Sequence, residues 1–141
     1  MKDINDRRAK TECVGHARDW LCRKRGLTFE DVNIAADIWD KINFYSRISD
    51  STRIPLENLL NGSPHPPMVG DLVIYSEKYR GTGHVAVVVD INSYGDAVTV
   101  SEQNYINGIK PMGHKRRIPL MLIEKRYWLL DDYLIGLKRY K

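Results

Sequence analysis

The stretch Gly70–Asn104 constrains the fold more than any other part of this chain. It reads G-D-L-V-I-Y, then S-E-K-Y-R-G-T, then G-H-V-A-V-V-V-D, and ends on V-T-V-S-E-Q-N. Apolar, β-branched runs bounded by Gly, Asp and Ser predict strands at the first two runs, and a third over Ala97–Val100. Side chains alternate along a strand. Val85, Val87 and Val89 therefore fall on one face of the second strand, and His84, Ala86 and Val88 on the other. This sets an imidazole at the mouth of a rigid strand, with Gly83 beside it leaving room for a ligand. Glu102 and Asn104 end the next strand, where either side chain reaches the second ring nitrogen.

Before this stretch the pattern is helical. Residues 1–10 read as a short polar lead-in, and Thr11 as an N-cap with Glu12 in the first turn. Val14, Ala17 and Leu21 recur at helical spacing, and Arg23, Lys24, Arg25 and Gly26 suit a helix end. Ile34, Ala35, Ile38, Trp39 and Ile42 predict a second helix. Residues 44–60 are less periodic and fit a turn or short helix near Leu56–Leu60. N-G-S-P-H-P-P over 61–67 is a rigid loop, because its prolines can continue neither a helix nor a central strand. Residues 115–123 are an ambiguous strand candidate, and two further strands are expected at Arg126–Leu130 and Tyr133–Lys138, around Asp131-Asp132. Helices followed by antiparallel strands make an α+β class, here as one domain over 1–141. Trp20, Trp39 and Trp128 are expected in the core; Tyr75, Tyr79 and Tyr105 are expected to line a cleft.

Cys13 is the nucleophile the sequence offers to this imidazole. Near the second position of the expected helix, exposed N–H groups and the macrodipole favour a thiolate. His84 follows 71 positions later and Glu102 a further 18, an order that suits nucleophile, base and orienting group. Residue types alone also fit a cysteine that is only a small buried hydrophobe. Cys22 lies on the opposite helix face and cannot bridge to Cys13. His16, one turn beyond Cys13, reads as a surface residue, and His65 and His114 as partnerless. No His/Cys spacing suits a metal, and no glycine motif cradles phosphate. No apolar run has membrane length, and the first twenty residues carry no Sec-type leader. The net charge of +4 is uneven: residues 110–141 hold nine Lys/Arg against three acids. That surplus suits either an anionic polymer or an ordinary solvated surface.

E-C-V-G-H-A-R-D-W-L, G-D-L-V-I-Y, T-G-H-V-A-V-V and S-E-Q-N together resemble CHAP domains, the cysteine- and histidine-dependent amidohydrolase/peptidases. R-G-L-T-F-E-D-V, N-G-S-P-H-P-P and the closing L-I-G-L extend the likeness to the amidase domains of glutathionylspermidine synthetase/amidases. The resemblance implies a papain-like α+β fold, with N-terminal helices packed on an antiparallel sheet, and no cofactor or metal. It makes Cys13 the nucleophile, His84 the base and Glu102 the orienting carboxylate, with Asn104 able to share that role. Arg18 matches an arginine near the substrate carboxylate. Gly83, Asn104 and Tyr105 join Glu12 and Arg18 as candidates around the substrate and the oxyanion. Glu12 stands where the family commonly has Gln; a carboxylate would oppose an oxyanion, so either Glu12 points away and leaves donation to the backbone N–H of Cys13 and another donor, or activity is reduced.

The activity expected is amide hydrolysis through a thioester. Peptidoglycan stem peptides are the first substrate, cut by a cell-wall effector or lysin; a glutathione conjugate in the cytosol is the second. A third reading is an inactive module that holds an anionic polymer. The protein is expected to be monomeric, without nucleic-acid or membrane partners. It would be made in the cytoplasm and exported by a specialised secretion system, and an effector would have an immunity protein as partner.

Overall fold

The computed structural model describes residues 2–103 and 114–140. Helix α1 runs Lys2–Arg25, so the expected lead-in is helical and Thr11 is interior rather than an N-cap. Gly26 ends it as expected: at φ +67° it takes the left-handed turn, and its N–H donates to Cys22 O at 3.1 Å.

Strand β1 (Leu27–Thr28) follows, and then α2, a single short turn over Asp37–Lys41. The longer helix expected from Ile34 does not form. The Ala36 N–H donates outward to Thr82 O, and the Lys138 ammonium caps the carbonyls of Ile38 and Trp39 at 2.8 and 2.7 Å. Residues 44–60 are not helical either. They make β2 (Phe44–Arg47) and β3 (Arg53–Leu60), whose alternation of exposed and half-buried positions is that of a strand.

The strands β4 (Leu72–Tyr75), β5 (His84–Ile91) and β6 (Ala97–Glu102) lie where the apolar runs predict them. After them come β7 (His114–Ile123), β8 (Arg126–Leu129) and β9 (Leu134–Tyr140). The sheet has the order β1-β2-β3-β9-β4-β5-β6-β7-β8, antiparallel throughout. Mostly antiparallel sheet with few helices is an α+β architecture. β8 and β9 do not pair with each other: β9 inserts between β3 and β4, and β8 pairs with β7.

Two apolar clusters follow from the strand alternation. Cys13, Val14, Ala17 and Leu21 of α1 share one with Leu72, Ile74, Val85 and Val87. Val73, Tyr75, Ala86, Val88, Val98 and Val100, from the opposite face, form the other with residues of β7–β9. The segment after β3 is stitched to β8: Asn61 exchanges two hydrogen bonds with the Leu129 backbone, and Ser63 bridges Tyr127. Trp128 lies over Gly62, where any Cβ would meet its ring, yet it stays 37% exposed and is not the core residue expected.

Candidate active site

His84 opens β5 and Glu102 closes β6, so the antiparallel pairing brings both to one end of the sheet. Both are buried, and His84 Nε2–H donates to Glu102 Oε1 at 2.8 Å. With Nε2 so held, Nδ1 is left to face the Cys13 thiol, with which His84 is also hydrogen-bonded. Burial alone would make this imidazole less basic. The hydrogen bonds to Cys13 and Glu102 outweigh it and raise the His84 pKa to about 9. Tyr75 and Tyr79 pack on the ring, with centroids at 5.3 and 5.6 Å.

Glu102 has a second cationic partner. Arg116 donates from Nε to Oε2 at 2.6 Å and from Nη2 to Oε1 at 3.1 Å. Burial works against the charge on Glu102, but the bonds from His84 and Arg116 prevail and hold its carboxyl down to about 2. The same guanidinium donates to Asp131 Oδ2 at 2.8 Å and to Tyr75 Oη at 3.0 Å, while Tyr75 Oη–H donates to Asp131 at 2.6 Å. A cavity of about 320 Å³ opens beside His84, Glu102 and Arg116, with Tyr79, Arg80 and His114 also on its wall. A thiol, a strong buried base and an ionised carboxylate in series are the parts nucleophilic catalysis requires.

The CHAP domain profile matches residues 3–104, well over half of the chain. The chain belongs to the CHAP family. It is similar to the bifunctional glutathionylspermidine synthetase/amidases of Escherichia coli (strain K12) and Shigella flexneri, each 32% identical over 126 residues. Those matches cover 87% of this chain but 20% of each relative. It is also similar to the trypanothione synthetase of Crithidia fasciculata, 32% identical over 97 residues, 68% of this chain and 14% of that one. The chain thus spans about a fifth or less of the length of these curated relatives.

Within this CHAP domain the remaining candidates have separate positions. Cys13 is buried in the body of α1, about three turns beyond Lys2, so the helix-terminus argument for its thiolate does not hold. An amide at that depth is committed to the carbonyl four residues earlier, which also removes the Cys13 N–H as the expected oxyanion donor. Glu12, next to Cys13, accepts a hydrogen bond from the Gln103 side-chain amide.

Gly83 does not leave room for a ligand: at φ +75°, a Cβ there would sit 2.6 Å from Tyr75 O and 2.7 Å from Ala36 Cβ. That glycine serves close packing. Arg18 is turned to the segment after β1, donating to Phe29 O, Glu30 O and Asp31 Oδ1 at 3.0–3.2 Å, and is not brought to His84. Asn104 and Tyr105 lie outside the described residues. His16 is half-buried and bonded to Ser101 Oγ at 2.7 Å, and burial pushes its pKa down.

Sequence reasoning missed Arg116, which reads as part of a basic surface run. The signal was present: Ile118 and Leu120 are buried, and counting back in twos puts Arg116 and His114 on the same inward face of β7. His114 has a partner after all, with Nε2 at 3.4 Å from Glu102 Oε2. Nor do the described cations of 114–140 form one free patch. Arg116 and Arg139 pair with buried acids, Arg126 donates to Gly62 O, and Lys138 is buried, where desolvation lowers it to about 8.

Proposed function

We propose that this protein is a papain-like cysteine amidohydrolase. Cys13 sulfur attacks the carbonyl carbon of an amide. His84 takes the thiol proton and gives it to the leaving nitrogen, and the amine departs from a Cys13 thioester. Water, deprotonated by His84, then attacks the thioester; the acid leaves and Cys13 regains its proton. Glu102 keeps the His84 ring in the orientation that presents Nδ1 to sulfur. The observation that carries this reading is the buried imidazole bonded on one side to the thiol and on the other to an ionised carboxylate. The Glu12 carboxylate accepts from the Gln103 amide, and that bond moderates its opposition to an oxyanion.

The substrate class best supported is a glutathione-type peptide joined by an amide to an amine, because two of the relatives are named for glutathionylspermidine. Peptidoglycan stem peptides, the first expectation from the sequence, are the competing class. The test is mass spectrometry of products from glutathionylspermidine and from purified peptidoglycan, each with wild type and Cys13→Ala. Free spermidine from wild type alone supports the first class, and new muropeptides from wild type alone move the protein to the second. Equal products with Cys13→Ala would sink the mechanism.

A further inference from the structure

We propose that Arg116 is a positioning residue for the thiol–imidazole pair: its guanidinium holds the Glu102 carboxylate ionised and aimed at His84, and Tyr75 with Asp131 hold the guanidinium. This rests on the Cys13–His84–Glu102 chemistry proposed above and adds to it the group on which the orienting carboxylate depends.

Glu102 is 1% exposed. A carboxylate so placed with a bond only to His84 would keep one oxygen in a medium that solvates it poorly; it would take a proton or swing away. Arg116 covers both oxygens with one rigid fork, a geometry that a lysine ammonium cannot reproduce. Its other donors go to Asp131 and Tyr75, which are bonded to each other, so the fork cannot rotate without breaking bonds at its far side. The restraint runs from the turn between β8 and β9, across β7, to the imidazole at the start of β5.

The other titratable groups facing Glu102 do not substitute. His84 is the group being oriented. His114, from β7, is partly exposed, stands 3.4 Å off and is charged only when protonated. His16, from α1, is bonded to Ser101 and pushed towards neutrality by its burial. Among the described residues, Arg116 is the one permanent cation bonded to this carboxylate. Take it away and His84 alone is left to oppose the burial of Glu102, so the Glu102 pKa rises. Once protonated, Glu102 no longer supports a charged imidazole, and His84 loses basicity towards the thiol.

The test is the pH profile of Cys13 alkylation by iodoacetamide, read on the Cys13 peptide by mass spectrometry for wild type, Arg116→Gln and Arg116→Lys. It needs no substrate. In Arg116→Gln the acid limb is expected to move up, because a Glu102 carboxyl no longer clamped on both oxygens holds the imidazolium less well and the thiolate then needs a higher pH to form. Arg116→Lys keeps the charge, so its acid limb should stay near wild type while the plateau rate falls about threefold or more for want of the fork. A folded Arg116→Gln protein with the wild-type acid limb overturns the proposal. If circular dichroism shows that this variant does not fold, Arg116→Lys decides, and a wild-type plateau overturns it. Protein that alkylates with the expected shifts but hydrolyses neither amide substrate refutes the amidase reading and leaves the role of Arg116 standing.

Discussion

Two buried carboxylates in this molecule have the same kind of partner and opposite fates. Asp71 is 2% exposed and bonded to Arg139 at 3.0 and 2.7 Å; Glu102 is 1% exposed and bonded to Arg116 at 2.6 and 3.1 Å. Burial pushes the Asp71 pKa up, and Arg139 with the Met68 N–H do not reverse it. Glu102 is held down to about 2. Glu102 has a second cation, His84, on its other side, whereas Asp71 has the Glu57 carboxylate near it, which pushes it further up. One arginine tethers a buried acid; an arginine and an imidazole together keep it ionised. The first arrangement serves a turn, and the second serves the pair formed by Cys13 and His84.

The largest effect expected from breaking this contrast is on rate. Glu102→Gln should lower kcat for the amide substrate on the order of 10³-fold or more, the scale seen when the orienting acid of a hydrolase triad becomes an amide. Asp71→Asn should leave kcat within about twofold, measured by the same assay. Its effect appears in denaturant unfolding instead, as a loss of about 2–4 kcal/mol, because a mostly buried Arg139 is left without its charge partner.

Acid titration sharpens the comparison by sign. The folded-state pKa of Glu102 lies below its ordinary value of 4.5, so the stability it contributes is present above that value and lost as pH falls towards about 2. The folded-state pKa of Asp71 is raised, so its contribution is present below its ordinary value of 3.8 and lost as pH rises through the raised value. Stability measured against pH should therefore fall less steeply on acidification in Glu102→Gln than in wild type, and more steeply in Asp71→Asn.

The smallest effect is expected from an ion pair with one partner in solvent. Arg18 bonds Asp31, which is almost wholly in solvent, at 3.1 Å. Asp31→Asn, which removes only the exposed half of the pair, should cost less than about 1 kcal/mol, and Arg18→Gln should leave KM within about twofold. A tenfold rise in KM would give Arg18 back the substrate contact expected from the family resemblance.

The legible parts of the fold were those whose pattern is local. The runs at 72–75, 84–91 and 97–102 are dense in β-branched residues, and their alternation divides the two apolar clusters as read from the sequence. The short distance between His84 and Glu102 follows from that same alternation and from two adjoining strand ends. What the sequence hid was settled by distant partners. β3 is a strand because β9, nearly eighty residues later, pairs with it; α2 is short because Thr82 and Lys138 take its ends. Gly83 is small because Ala36 and Tyr75 crowd it, which no neighbour in sequence discloses. Arg116 looked like solvated charge because its two acids lie 14 residues before it and 15 after.

The two cysteines of the chain offer the most direct test of the central claim, since Cys13 is buried and Cys22 is exposed. Limited iodoacetamide treatment at neutral pH, with each cysteine peptide quantified by mass spectrometry, compares them in one molecule. If His84 and Glu102 make Cys13 a nucleophile, Cys13 is alkylated faster than Cys22 despite its burial, and His84→Ala reverses the order. Faster labelling of Cys22 in the wild-type protein would contradict the account.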